Sequence, residues 1–488
     1  MKEKNLVKKI EIVFLFLLII FTVIYRLQSI NMPLDKNEGA FAYAAVQVSH
    51  GSLLYKDVFE HRPPMIVYIY KTAFSLFGQT QLAIRNFTTL YLIATLLLMY
   101  MLSRIIWRSA FISMLAAFFY ILYQHSLIFQ GLTADTAIYA QLPLILSILF
   151  IFNRDEKYEL VNFSISGFFA AVALLTHLMT LFFALVPIIY ILAYCKKNKI
   201  KNLISFIVGY VVLIAMVIGW AVLKNNLLDM YNGLIFYNFE ALKLSIKSVI
   251  NYATFQGWMA FAYANIFLCL SIIYAVWMFY KRKNNEIDFL LIATLFVLYL
   301  GIILSNNVPS NFYLSLIPAG SLLGAVMIND MYIILTKEKT TKKYMWMLLA
   351  AFMIVNTLAI LKANHIGQFL NSNKYAQEIL YEESSIVETI ASGSQNKEKK
   401  DNFIFVWPDM PEIYFMSGVK ATSKYAYAYP LEVFREDKIK VLDNFFYGRP
   451  AWVVMQKGTY QPFQAFLDNY YAKEMQTQNL VLYRSLLY

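Results

Sequence analysis

The sequence predicts an α-helical polytopic membrane protein of about eleven transmembrane helices, with a small extracytoplasmic α/β domain at its C-terminal end. Three observations carry that expectation. The 488 residues are 59% hydrophobic and only 15% charged, with a mean hydropathy of +0.54, whereas a soluble domain carries about 25% charged residues. Basic residues collect in short clusters beside apolar runs. After about residue 363 the composition changes, and short strand-like runs alternate with helical stretches.

The clusters explain the net charge of +12. Lys2, Lys4, Lys8 and Lys9 open the chain, and Lys196, Lys197, Lys199 and Lys201 form one short loop. Lys281, Arg282 and Lys283 form a second, and Lys337, Lys339, Lys342 and Lys343 a third. Basic clusters in short loops mark the cytoplasmic side of a membrane, so no nucleic-acid partner is expected. Cys195 and Cys269 lie in or beside apolar spans and define neither a disulfide framework nor a zinc spacing. The first apolar run, Ile12 to Tyr25, is followed by RLQSINMP, which lacks a small-residue cleavage site. It reads as a retained anchor rather than a signal peptide.

A crossing helix needs about 20 mostly apolar residues. The expected spans are 10–30, 84–104, 109–129, 136–153, 160–176, 178–195, 203–223, 257–280, 288–305, 312–335 and 344–361. Residues 160–195 read as two crossings meeting near Thr176 and His177, because a single crossing would put the last three basic loops on the opposite side. The stretch 65–79 is apolar but short, and reads as a helix lying in the outer interface. The N-terminus is then cytoplasmic and the C-terminal domain extracytoplasmic. The expected domains are a transmembrane domain over 1–362, which includes outer loops 31–83 and 224–256, and an α/β domain over 363–488. In the latter, 402–407, 451–456 and 480–484 read as strands, and 374–391, 431–446 and 460–474 as helical.

The most informative segment is the acidic loop after the first span, DKNEGAFAYAAVQVSHGSLLYKDVFEHRPP over 35–64. Asp35, Glu38, Asp57 and Glu60 fall just outside the membrane, where carboxylates suit general-base chemistry on a substrate delivered from the lipid. AFAYAAVQVSHG has the small and apolar residues of a helix lying on the membrane. His61 and Arg62 precede Pro63–Pro64, which fixes the backbone entering the next segment. A guanidinium placed there suits a forked contact with phosphate.

This pattern resembles the GT-C superfamily of integral-membrane glycosyltransferases, specifically the bacterial protein-mannosyltransferase-like group that includes the aminoarabinose transferases. Four elements carry the resemblance in order: the acidic motif, a G-x-x-x-Y turn at Gly51–Tyr55, a basic-Pro-Pro motif at Arg62–Pro63–Pro64, and Phe77–Gly78 with Arg85 before the second span. It extends through the multi-span body and more loosely into the C-terminal domain. It implies an inverting transfer of sugar from a polyprenyl-phosphate donor to a glycan, lipid or protein acceptor on the outer face of the bacterial cytoplasmic membrane. An acidic residue of the first loop is then the base. It implies no fixed cofactor and leaves a divalent cation open.

The sequence departs from the family at the base itself. The family has Asp directly before Glu, and here that position is Asn37. An amide is no general base, which leaves Asp35, and after it Glu38, as the expected catalytic residues. The resemblance further implies donor-phosphate or sugar contacts by Arg62, His61, Asp57, Glu60, Asp135 in QGLTADT, His177 where the family has lysine, and Tyr313 in Asn311–Phe312–Tyr313. Tyr237, Asn238 and Glu240 are further candidates in the 224–256 loop.

Other classes fit less well. A transporter or flippase places ionisable residues at mid-bilayer, whereas here they concentrate in loops. A polysaccharide polymerase or ligase relies on a large late outer loop with arginines, which is absent. A non-catalytic relative remains the alternative that Asn37 keeps open.

Overall fold

The computed structural model describes residues 2–126, 129–152, 156–241, 266–281, 285–303, 310–336, 354, 358, 381–393, 403–459 and 463–487. In chain order the helices are α1 Lys2–Leu27, α2 Lys36–Ser49, α3 Met65–Phe77, α4 Gln81–Trp107, α5 Ala110–Gln124 and α6 Thr136–Phe152. They continue with α7 Glu159–Thr176, α8 Leu185–Tyr194, α9 Lys199–Leu223, α10 Leu227–Tyr231, α11 Ile266–Lys281, α12 Glu286–Ile303 and α13 Ile317–Leu335. The last four are α14 over 381–393, α15 Pro411–Ser417, α16 Arg435–Gly448 and α17 Gln464–Tyr470. The strands are β1 Phe403–Trp407, β2 Lys420–Ala421, β3 Trp452–Gln456, β4 Tyr471–Gln476 and β5 Leu480–Ser485.

Contacts divide the chain into two compact units. One holds Met1–Ser29, Arg85–Gly219 and Leu244–Phe369, and the other Ile30–Ile84, Trp220–Lys243 and Leu370–Tyr488.

In the first unit, helices occur at ten of the eleven expected spans, and 344–361 lies outside the described residues apart from two helical positions. Five helical segments are each long and apolar enough to cross a bilayer unaided: Asn5–Asn31, Gln81–Trp107, Glu159–Thr176, Lys199–Leu223 and Asn311–Ile333. This is a multi-pass membrane protein. α1 and α9 expose large apolar side chains along their length, among them Ile12, Phe16, Ile204 and Met216, which is the face a helix turns to lipid tails. Phe119, Tyr120, Ile138, Leu291 and Leu322 lie in the common core of the bundle. α6 and α7 meet through small polar residues, the Ser147 and Ser166 hydroxyls being 3.0 Å apart. Such residues let membrane helices approach closely. The helical run does break at His177, which caps α7 before a 3-10 turn over Leu178–Ala184.

The second unit is built on a five-stranded sheet of order β2-β1-β3-β5-β4. β1 runs parallel to β2 and β3, while β5 pairs antiparallel with β3 and with β4. Its core joins Phe405, Phe445, Val453, Met455 and Val481 to Phe59 of the first loop and Tyr237 of the 224–241 segment. The first loop, the helical 227–241 stretch and the sheet therefore fold as one body. One expectation is corrected here. Residues 460–474 are not one helix, since α17 ends at Tyr470 and β4 begins at Tyr471. Among its described residues the 224–256 segment is largely helical, with a π turn at Asn232–Phe236. The expected helix over 65–79 is α3, and the expected helix after the acidic motif is α2.

Candidate active site

The first loop folds around the start of α2. Asp35 is its N-cap, and the Asp35 Oδ2 accepts from Asn37 N at 3.3 Å while Glu38 Oε2 accepts from Asp35 N at 2.9 Å. This reciprocal capping box satisfies donors that a helix start leaves unpaired. Both candidate bases thus share one helix terminus. Glu38 is only 1% exposed and Asp35 is half-buried.

Arg62 reaches the same terminus. Its Nη2 donates to Asn37 Oδ1 at 2.7 Å and its Nη1 to Glu60 Oε1 at 3.2 Å. The guanidinium carbon lies 4.8 Å from the centre of the Phe41 ring, within cation–π range. Glu60 is fully buried. Its Oε1 also accepts the backbone N–H groups of His61 and Arg62, at 2.9 and 3.2 Å, and its Oε2 has no hydrogen-bond partner. Burial raises the Glu60 carboxyl above the usual range, and the Arg62 guanidinium and these hydrogen bonds oppose that rise. His61 Nδ1 lies 2.9 Å from Tyr427 Oη and 3.4 Å from Glu60 Oε1. Burial first, and then the neighbouring guanidinium, lower the His61 imidazole well below its ordinary value. It is neutral at pH 7, so the contact with Glu60 is not an ion pair.

The turn before this network is strained to fit. Tyr55 adopts φ 75°, a region unusual for a bulky residue. It is nonetheless buried, and its phenol donates to the Arg62 carbonyl at 3.0 Å. The G-x-x-x-Y motif therefore supports the backbone that presents Arg62. Asp57 sits apart from the network, accepting from Leu53 N at 2.7 Å to close the turn. The 227–241 helix packs on the other side. Asn238 donates to the His61 carbonyl at 2.8 Å, and the Tyr237 ring lies 5.0 Å from the imidazole. Gly233 permits the approach, because a Cβ there would lie 2.7 Å from the Glu60 carbonyl. Glu240 is half-buried on the same stretch.

The helical unit holds a second polar group. Thr136 Oγ1 donates to Asp135 Oδ1 at 2.7 Å and lies 2.9 Å from His177 Nδ1. With that hydroxyl proton given to the carboxylate, Nδ1 must be the protonated ring nitrogen and the donor to Thr136. Phe312 packs edge-on against His177 with centroids 4.8 Å apart, and Tyr313 is buried against Phe129. The structure thus groups Asp135 with His177, and Asp35 and Glu38 with Arg62, Glu60 and His61.

The sequence profile of the family described as dolichyl-phosphate-mannose-protein mannosyltransferase matches residues 61–221. No curated protein matches the chain by sequence. Among solved structures, the chain is similar to ArnT from Cupriavidus metallidurans bound to undecaprenyl phosphate. The TM-score is 0.64 at 12% identity, covering 96% of this chain and 97% of that one. It is also similar to the apo oligosaccharyltransferase from Archaeoglobus fulgidus, with a TM-score of 0.55 at 11% identity over 91% of this chain and 69% of that one. The chain has the GT-C fold.

Sequence reasoning missed one acid. Glu412, on α15, is 5% exposed and its Oε2 has no partner. Burial raises its carboxyl well above the ordinary value, and the nearby Glu383, Asp35 and Asp409 add to the effect. α15 packs directly on α2, where a Cβ on Gly39 would lie 2.5 Å from Glu412 N. The available signal was a lone acid inside the apolar run PEIYFM. Among the described residues no three His, Cys, Asp or Glu side chains converge as metal ligands would, and no step below is routed through a metal.

Proposed function

We propose that the protein is an inverting glycosyltransferase that moves a sugar from a polyprenyl-phosphate donor to an acceptor hydroxyl or amine on the outer face of the membrane. The observation that carries this reading is the placement of Arg62 against the start of α2, the helix terminus that also bears Asp35 and Glu38. A cation for the departing phosphate and a carboxylate for the acceptor proton are the two groups such a transfer requires.

Asp35 is the base in this reading, because it is the more accessible of the two carboxylates while Glu38 is buried in the capping box. Asp35 takes the acceptor proton as the acceptor atom bonds to the anomeric carbon from the face opposite the phosphate. The bond from that carbon to the phosphate oxygen breaks, and its electron pair leaves with the lipid phosphate. Arg62 offsets the charge that develops there. Glu60 and Asn37 hold the guanidinium, and Asn238 and Tyr427 hold His61 beside it. The fold supports a lipid-phosphate donor by likeness, since the similar ArnT structure contains undecaprenyl phosphate.

The test combines a cell and a purified system. Mass spectrometry of surface glycans with and without the protein should show the loss of one sugar modification. The purified protein should then transfer that sugar from its polyprenyl-phosphate form. An unchanged surface glycan profile together with no transfer would refute the reading and favour a non-catalytic relative.

A further inference from the structure

Asn37 stands where the resembling family has a carboxylate, and in this structure the amide has a partner. Arg62 Nη2 donates to its Oδ1 at 2.7 Å, the shortest of the guanidinium's described hydrogen bonds. A guanidinium only donates, so the carbonyl end of the amide must face it. Other described contacts of Arg62 are the Glu60 carboxyl group at 3.2 Å, the Phe41 ring, and the Tyr55 phenol on its backbone carbonyl. Of these two described side-chain acceptors, one is a carboxyl group and the other an uncharged amide.

We propose that Asn37 is a positioning residue, a neutral acceptor that aims the Arg62 guanidinium at an anionic lipid phosphate without adding a counter-charge. This rests on the reading of Arg62 as the phosphate contact. Aspartate at position 37 would hold the guanidinium in the same geometry. It would also compete with the phosphate for the cation and repel the phosphate itself. The carboxylate beside Arg62 would be ionised at pH 7, because an adjacent cation lowers its pKa. Alanine at position 37 would free one fork of the guanidinium but leave its charge.

The two substitutions thus order oppositely for a positioning role and a merely structural one. Binding of undecaprenyl phosphate to the purified full-length protein in nanodiscs measures this directly, without turnover. Asn37→Asp should weaken binding on the order of tenfold, the scale of a charge-assisted hydrogen bond. Asn37→Ala should weaken it only a few-fold, and added salt should narrow the gap between the two. Melting temperatures close to wild type show that both variants fold. Arg62→Ala in parallel separates the two claims. If Arg62→Ala weakens binding but Asn37→Asp binds as tightly as wild type or better than Asn37→Ala, the role given to Asn37 is overturned alone. If Arg62→Ala also binds normally, the phosphate reading of Arg62 falls and the role of Asn37 falls with it.

Discussion

Gly39→Ala tests how the C-terminal sheet domain supports the first-loop carboxylates. Gly39 lies in the first turns of α2, one residue after Glu38. A Cβ there would stand 2.5 Å from Glu412 N, 2.7 Å from its Cα and 2.8 Å from its Cβ. Two of these are backbone atoms, so no side-chain rotation relieves the clash, and α2 and α15 must separate. Alanine gains about 1 kcal/mol over glycine within a helix. Forcing a methyl into a packed contact costs about 1–3 kcal/mol. The clash wins, leaving a net loss of up to about 2 kcal/mol. Gly448, at the end of α16, is the control, because nothing lies within 4 Å of a Cβ built there. Thermal unfolding in one detergent should place Gly39→Ala below wild type and Gly448→Ala at or above it. Transfer activity should fall further than stability for Gly39→Ala alone, since the shift moves Glu38 and Asp35. A rise in melting temperature for Gly39→Ala equal to that of Gly448→Ala would refute the packing argument.

Glu383 is buried, and burial together with Glu382 pushes its carboxyl up to about 7 from 4.5. The folded state then binds more protons than the unfolded one, so stability falls as pH rises from about 4.5 to 7, by up to about 3 kcal/mol. Glu383→Gln should raise the melting temperature at pH 8 and leave it unchanged at pH 4.5; equal effects at both would contradict the assignment. Tyr427→Phe removes the phenol beside the neutral His61 imidazole and should cost about 1 kcal/mol, read from denaturant titration, with no loss expected for the exposed Tyr447→Phe. Asn238→Ala removes a donor to the His61 carbonyl and should raise the donor KM several-fold with kcat little changed; a fall in kcat alone would place Asn238 elsewhere in the reaction.

The membrane-spanning helices were legible because hydrocarbon thickness sets a length that hydropathy detects directly. The break at His177 was legible from charge parity across the basic loops. β4 was missed because it is an edge strand whose YAKEMQ side chains are mostly exposed, so no apolar alternation marks it. The first loop was recognised as chemically important, but two of its details required three-dimensional contacts. Asp35 and Glu38 cap a helix, and the Asp-x-x-Glu spacing before an apolar run was the available sign. Asn37 meets Arg62 across 25 positions of sequence, and no local pattern encodes such a pairing. Glu412 lies farther still along the chain, and reaches α2 only through the folding of the sheet domain.

The central claim is that Asp35 removes the acceptor proton. The most direct measurement is single-turnover transfer from a labelled polyprenyl-phosphate sugar by purified wild type, Asp35→Asn and Glu38→Gln, after donor binding has been shown equal. Asp35→Asn keeps the shape and the cap but not the basicity, so the rate should fall by roughly 10²–10⁴, with Glu38→Gln falling less. Normal turnover in Asp35→Asn, joined by a large gain in Asn37→Asp, would contradict the assignment and make the natural protein a weakened relative.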